Sequence, residues 1–119
     1  MKADGNGEAL SSGHALERLE YKGMLFDFYS ELLTPHQKKI YEDAVFNDLS
    51  LSEIADEQGI SRQGVHDILK RCDKALKDYE EKLRLVDKFG RIRDRIHKIN
   101  MLTDNEEIKR LTDEIIEEL

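Results

Sequence analysis

The sequence has no tryptophan, a single proline (Pro35) and a single cysteine (Cys72) in 119 residues. Each scarcity removes a class of architecture. One thiol cannot form a disulfide within the chain, so a cross-linked extracellular scaffold is excluded. No metal-ligand cluster surrounds Cys72, and His14, His36, His66 and His97 are too scattered for a local metal motif. No apolar run approaches the ~20 residues that a bilayer-spanning helix needs. The opening, MKADGNGEALSSGHA, lacks an apolar signal core and a cleavage pattern. These absences predict a cytoplasmic protein without membrane insertion. A Gly-rich phosphate loop, a nucleophile elbow and a His–Glu metal helix are also missing. The expectation is therefore a non-enzyme with no cofactor and no metal. Clustered carboxylates in YEEKL and DEIIEEL are expected to be solvated helix faces.

Strand-building tracts of Val, Ile and Thr are absent too. Leu, Ile, Glu, Lys and Asp dominate, and apolar residues recur at steps of three and four. That periodicity predicts an all-α fold. Residues 1–13 are Gly-, Ser- and polar-rich and are expected to be a disordered or appended extension. A first helix is predicted from about Glu17 to Leu33, with Met24, Leu25, Phe28, Leu32 and Leu33 on one face. Phe28 is assigned to the core, and Phe26 and Tyr29 to an interface. Thr34, Pro35 and Gln37 form a capping box with proline at the first helical position, opening a second helix to about Asn47. Ile40, Tyr41, Ala44 and Val45 face inward from it. Ser50 and Glu53 make a second box for the short helix LSEIADEQ, which stops at Gly59. A long fourth helix starts at Ser61 and is expected to run to about Asn100. Cys72 lies on its apolar stripe as a small buried residue. The stripe shifts phase after Val86, so the two halves face different directions or Gly90 breaks the rod. Thr103 and Glu106 suggest a third capping box for a C-terminal helix with Ile108, Leu111, Ile115 and Leu119 on its apolar face. The predicted domains are the extension, a helix-turn-helix domain with its long helix over residues 14–100, and an amphipathic helix over residues 101–119.

The densest signal is LSLSEIADEQGISRQGVHDILKR, residues 49–71. A helix-turn-helix needs a small residue where its helices touch, supplied by Ala55. Four residues on it needs one that tolerates the turn, supplied by Gly59. Ile54, Ile60, Val65 and Ile68 wedge the second helix onto the first, and Ser61 caps it. If the motif binds nucleic acid, the exposed start of that second helix enters a groove. Ser61, Arg62, Gln63, His66, Asp67, Lys70 and Arg71 sit there. Arg and Gln suit guanine and adenine edges, and Lys suits phosphate.

The charge distribution complicates that picture. The chain carries 26 acidic and 19 basic residues, a net charge of −7. Residues 1–60 hold 12 acidic and 5 basic residues, whereas residues 61–77 hold 5 basic and 2 acidic. A second basic block, residues 82–98, holds 7 basic residues (Lys82, Arg84, Lys88, Arg91, Arg93, Arg95, Lys98) against 2 acidic. Residues 99–119 return to 7 acidic against 2 basic. Affinity for nucleic acid follows local phosphate contacts rather than net charge. The second block could track a nucleic-acid backbone or be an ordinary solvated face.

With these residues in hand, the chain resembles the small bacterial YlxM family. The resemblance rests on MLFDFYSELLTPHQ, DLSLSEIADEQGISRQGVHDILKRCDKAL and YEEKLRLVDKF, and covers roughly residues 18–90. The N-terminal extension and the tail beyond about residue 95 depart from it. The resemblance implies a helix-turn-helix like region four of sigma factors, without a sigma factor's other regions. Members are typically encoded beside the signal recognition particle GTPase, Ffh. A regulatory or accessory role in that targeting pathway is implied, through the particle's RNA or its GTPase. Ser61, Arg62, Gln63, Val65, His66, Asp67, Lys70 and Arg71 match the family's recognition helix.

Three functional expectations follow. The first is a regulatory module binding DNA or signal recognition particle RNA through the recognition helix. The second is an accessory factor docking on the GTPase without groove reading. The third, compatible with both, is a homodimer seamed by the long C-terminal helices.

Overall fold

In the computed structural model, residues 11–119 are described, with side chains from residue 17 onward. The expectation for residues 1–13 falls outside this range except at residues 11–13, which open the first helix. Among the described residues the chain is all-α: α1 (Ser11–Tyr29) runs into a 3-10 turn (Ser30–Leu32), followed by α2 (Pro35–Val45), α3 (Leu51–Gln58), α4 (Arg62–Leu83), α5 (Leu85–Leu102) and α6 (Glu106–Glu118). The chain divides into two compact units, residues up to Lys82 and Leu83–Leu119.

The helix starts of the first unit follow from local chemistry. The Gln37 amide donates to Thr34 Oγ1 at 3.1 Å, and the Thr34 amide donates to Gln37 Oε1 at 3.0 Å. Pro35, lacking an N–H, sits where that donor would have no helical partner. Ser50 and Glu53 repeat the reciprocal pair for α3 at 3.1 and 2.8 Å. α3 ends at Gly59, whose φ of +68° lies in the left-handed region. A Cβ there would meet nothing within 4 Å, so glycine is required by backbone conformation and not by space.

Two layers of contacts build the unit. Ile40 of α2, Ile54 and Ala55 of α3, and Val65 of α4 form a buried cluster flanked by Leu49, Leu51, Ile60 and Ile68. Ile54, Ala55 and Val65 are buried, Ile60 and Ile68 pack against them, and Gly59 turns the chain. The second layer is aromatic and polar. Phe26 stacks on Tyr41 with ring centroids 5.6 Å apart and meets Phe46 edge-on at 5.2 Å. The Tyr29 hydroxyl donates to Glu80 Oε1 at 2.5 Å, and the Tyr41 hydroxyl donates to Asp73 Oδ1 at 2.8 Å. α1 and α2 are thereby tied to α4.

This layer corrects the assignment of aromatics. Phe26 and Tyr29 are core residues, while Phe28 is only half-buried, and Met24 and Leu32 are exposed. MLFDFY is apolar around most of the helix circumference, so periodicity alone cannot choose its inner face.

Asp43, near the end of α2, is buried. Asn47 donates to its Oδ1 at 2.9 Å and Lys39 at 3.2 Å. The Asn47 hydrogen bond, then Lys39, holds the carboxyl below the usual carboxylate range against the opposing effect of burial. Its backbone carbonyl also accepts from the Leu49 amide, which fixes the turn between α2 and α3.

In the second unit, α5 and α6 form an antiparallel hairpin. Asn100 Nδ2 donates to Thr112 Oγ1 at 2.6 Å, and Lys109 Nζ donates to the Asn100 carbonyl at 3.1 Å. Two local expectations change here. The rod predicted from Ser61 to Asn100 is two helices: α4 is long, at 22 residues, but ends at Leu83, and Arg84 adopts φ +56° before α5 starts. Gly90 sits inside α5 without interrupting it. The cap of α6 is Asn105, which accepts from the Ile108 amide at 3.1 Å; Thr103 instead accepts from the Asn105 amide, so no Thr103–Glu106 box forms. The reason is length: three residues must reverse the chain, and Asn105 is the last of them.

Candidate nucleic-acid interface

The outer face of α4 is set by the turn before it. Ser61 Oγ accepts from the Gly64 amide at 2.9 Å, which fixes the first turn of α4. A Cβ on Gly64 would lie 3.2 Å from that oxygen, a close approach that explains a glycine early in a helix. Val65, Cys72 and Leu76 are buried, and Leu69 is partly so. Helical spacing then puts Arg62, Gln63, His66, Asp67, Lys70 and Arg71 on the opposite side, and all of them, with Ser61, are exposed.

Their mutual contacts are few. Gln63 Nε2 donates to Asp67 Oδ1 at 2.9 Å, and His66 Nδ1 lies 3.7 Å from the same oxygen. Asp67 therefore holds the Gln63 amide in place and puts a negative charge beside the imidazole. Arg62, Lys70 and Arg71 form no ion pair with any described residue. Their charge is available to an external anion. Asp67, Lys70, Arg71 and Lys74 line an open depression along the helix. Lys74 lies outside the expected set. It extends the basic edge by one turn, and Asp78 pairs with it at 3.0 Å. Its signal was the i, i+4 step from Lys70.

The second basic block is distributed differently. Lys88, Arg91, Arg95 and Lys98 follow one another at steps of three and four along α5 and are exposed. Arg93 is half-buried on another side, and Lys82 is exposed on α4. Arg84 and Arg91 both pair with Asp87, at 3.2 and 3.3 Å.

Cys72 is not part of this face. It is fully buried, with Sγ 3.9 Å from the Gln37 carbonyl oxygen. Burial, then the charge of Asp73, pushes its thiol up to about 11. The protonated thiol fits the fold and the thiolate does not. Its contribution to stability is complete below the ordinary thiol pKa and is lost as pH rises through about 11. Thiol-reagent labelling at mildly alkaline pH should be slow in the folded protein and fast in denaturant. Equal rates would contradict the buried position.

A short helix, a left-handed glycine and a second helix with an exposed, cation-bearing outer face define a helix-turn-helix protein. The chain belongs to the family described as "Putative helix-turn-helix protein, YlxM / p13 like" (UPF0122), whose profile matches residues 16–117. It is 50% identical over 76 residues to a UPF0122 protein of Caldanaerobacter subterraneus subsp. tengcongensis, covering 64% of this chain and 65% of that one. A UPF0122 protein of Thermoanaerobacter sp. is 47% identical over the same length and shares. One from Bacillus cereus is 42% identical over 92 residues, 77% of this chain and 84% of its own. The chain thus spans about 65% of the length of the first two relatives. The family profile reaches residue 117, so the tail beyond residue 95 is a family feature and not a departure from it. Helix-turn-helix membership points to regulatory nucleic-acid binding. Among the described residues no helix is long and apolar enough to cross a membrane.

Proposed function

We propose that this protein is a non-enzymatic, cytoplasmic regulatory factor that binds nucleic acid, DNA or signal recognition particle RNA, through the outer face of α4. One observation carries the reading: Arg62, Lys70 and Arg71 are exposed on one helix face and unpaired within the described residues. Arg62, Gln63 and His66 face bases, Asp67 positions Gln63, and Ser61, Lys70 and Arg71 lie against phosphate. The resemblance to the YlxM family supports a place in the signal recognition particle pathway.

A second reading is favoured by the net charge of −7, which suits a protein docking on a basic partner such as the targeting GTPase. The two readings differ in salt response. Labelled particle RNA, random duplex DNA and the GTPase are each titrated with the protein at two salt concentrations. Groove or backbone binding by four to six cations predicts a steep loss of affinity with salt. Docking through apolar contacts predicts little loss. Binding to none of the three removes both readings.

A further inference from the structure

The second unit spans Leu83–Leu119, and its only buried residues are Val86, Ile96 and Thr112. α6 meets α5 where Thr112 and Lys109 hold Asn100. Thr112 lies four residues from both Ile108 and Ile116, so the apolar stripe borders this contact and is partly covered by it. Ile108, Leu111 and Ile115 remain 39%, 45% and 44% exposed, and Ile99 on α5 remains 48% exposed. A helix whose apolar stripe is only about half covered within its own chain has a contact still to make.

Charge identifies the occupant. α5 carries five basic residues against two acidic, and α6 carries six acidic against two basic. Arg95 and Lys98 form no ion pair with any described residue. A hairpin with one basic arm, one acidic arm and an exposed apolar stripe is complementary to itself. A two-fold axis would set the basic arm of each copy beside the acidic arm of the other and close the stripes face to face.

We infer that the Ile108–Leu111–Ile115 stripe of α6 is the seam with a second copy of this chain, flanked by Arg95 and Lys98 of one copy against Glu118 and Glu114 of the other, Glu114 sharing its charge with Arg110 of its own helix. The seam also doubles the number of α4 faces per particle, so nucleic-acid affinity would gain from avidity without a new contact.

Sedimentation of the full chain, with no nucleic acid present, tests this apart from the proposed function. The expected result is a dimer at tens of micromolar. Leu111→Glu should raise the dimer dissociation constant at least about tenfold while the far-ultraviolet helix signal is kept. A charge exchange covers the case in which that variant misfolds. R95E/K98E turns α5 net acidic beside an acidic α6, and E114K/E118K cancels the net charge of α6 and sets cations against the basic row of α5. Each alone should be mostly monomeric, and an equimolar mixture should form a heterodimer. A monomeric parent chain, a folded Leu111→Glu that stays dimeric, or charge variants that fail to recombine would each overturn the inference.

Discussion

Replacing Arg62 and Lys70 together with alanine is expected to weaken nucleic-acid binding at least about tenfold at moderate salt. Neither side chain has an ion-pair partner among the described residues, so neither charge is engaged in holding the fold together. Both are exposed, and loss of such side chains changes stability by no more than about 0.5 kcal/mol. The effect should therefore fall on binding and leave the urea midpoint in place. Salt dependence then separates the two roles. Each lost phosphate contact lowers the slope of log affinity against log salt by about 0.9. If Arg62 reads a base edge, its loss instead relaxes sequence preference, by about 1–3 kcal/mol between right and wrong base. Competition binding with two duplexes and the particle RNA, across a salt series, measures all three quantities. Unchanged affinity would remove the α4 face from the mechanism.

Ile54→Ala should be the most damaging single truncation in the motif. Ile54 is fully buried between Ile40, Ala55 and Val65. Removing its side chain beyond Cβ forfeits burial and leaves a space that the rigid contact of α2, α3 and α4 cannot refill. Such changes cost about 2–5 kcal/mol, against about 5–15 kcal/mol of total stability for a small domain. The urea midpoint should fall with an unchanged slope. A loss below about 1 kcal/mol would mean that α3 is not held by this cluster.

The parts of the molecule legible in the sequence are those whose energetics are local. Thr34 with Gln37, Ser50 with Glu53, and Ser61 with Gly64 satisfy donors three residues away, so composition and spacing suffice to place the starts of α2, α3 and α4. The outer face of α4 was legible for the same reason. Once Val65 and Cys72 are inward, helical geometry puts Arg62, His66 and Lys70 outward. Lys74 continues the same edge one turn beyond the motif.

The phase shift after Val86 marked a change of direction, but the exact position of the break after Leu83 was not legible. Nothing near Arg84 is a helix breaker, and a non-glycine residue at φ +56° goes against its intrinsic preference. Gly90 looked the weaker point and stayed helical. The inner face of α1 was equally open, because Tyr29 is selected by Glu80, 51 residues away, and Tyr41 by Asp73, 32 residues away.

The all-α class, the helix-turn-helix scaffold and the cation-bearing face follow from residue order alone, since each depends on residues within about one or two turns of one another. Which aromatics fill the core, where the long helix stops and how much of the α6 stripe is covered were set by packing between distant segments. Those outcomes depend on contacts between segments far apart in the chain, where competing packings bury similar apolar area and differ in which polar partners they bring together.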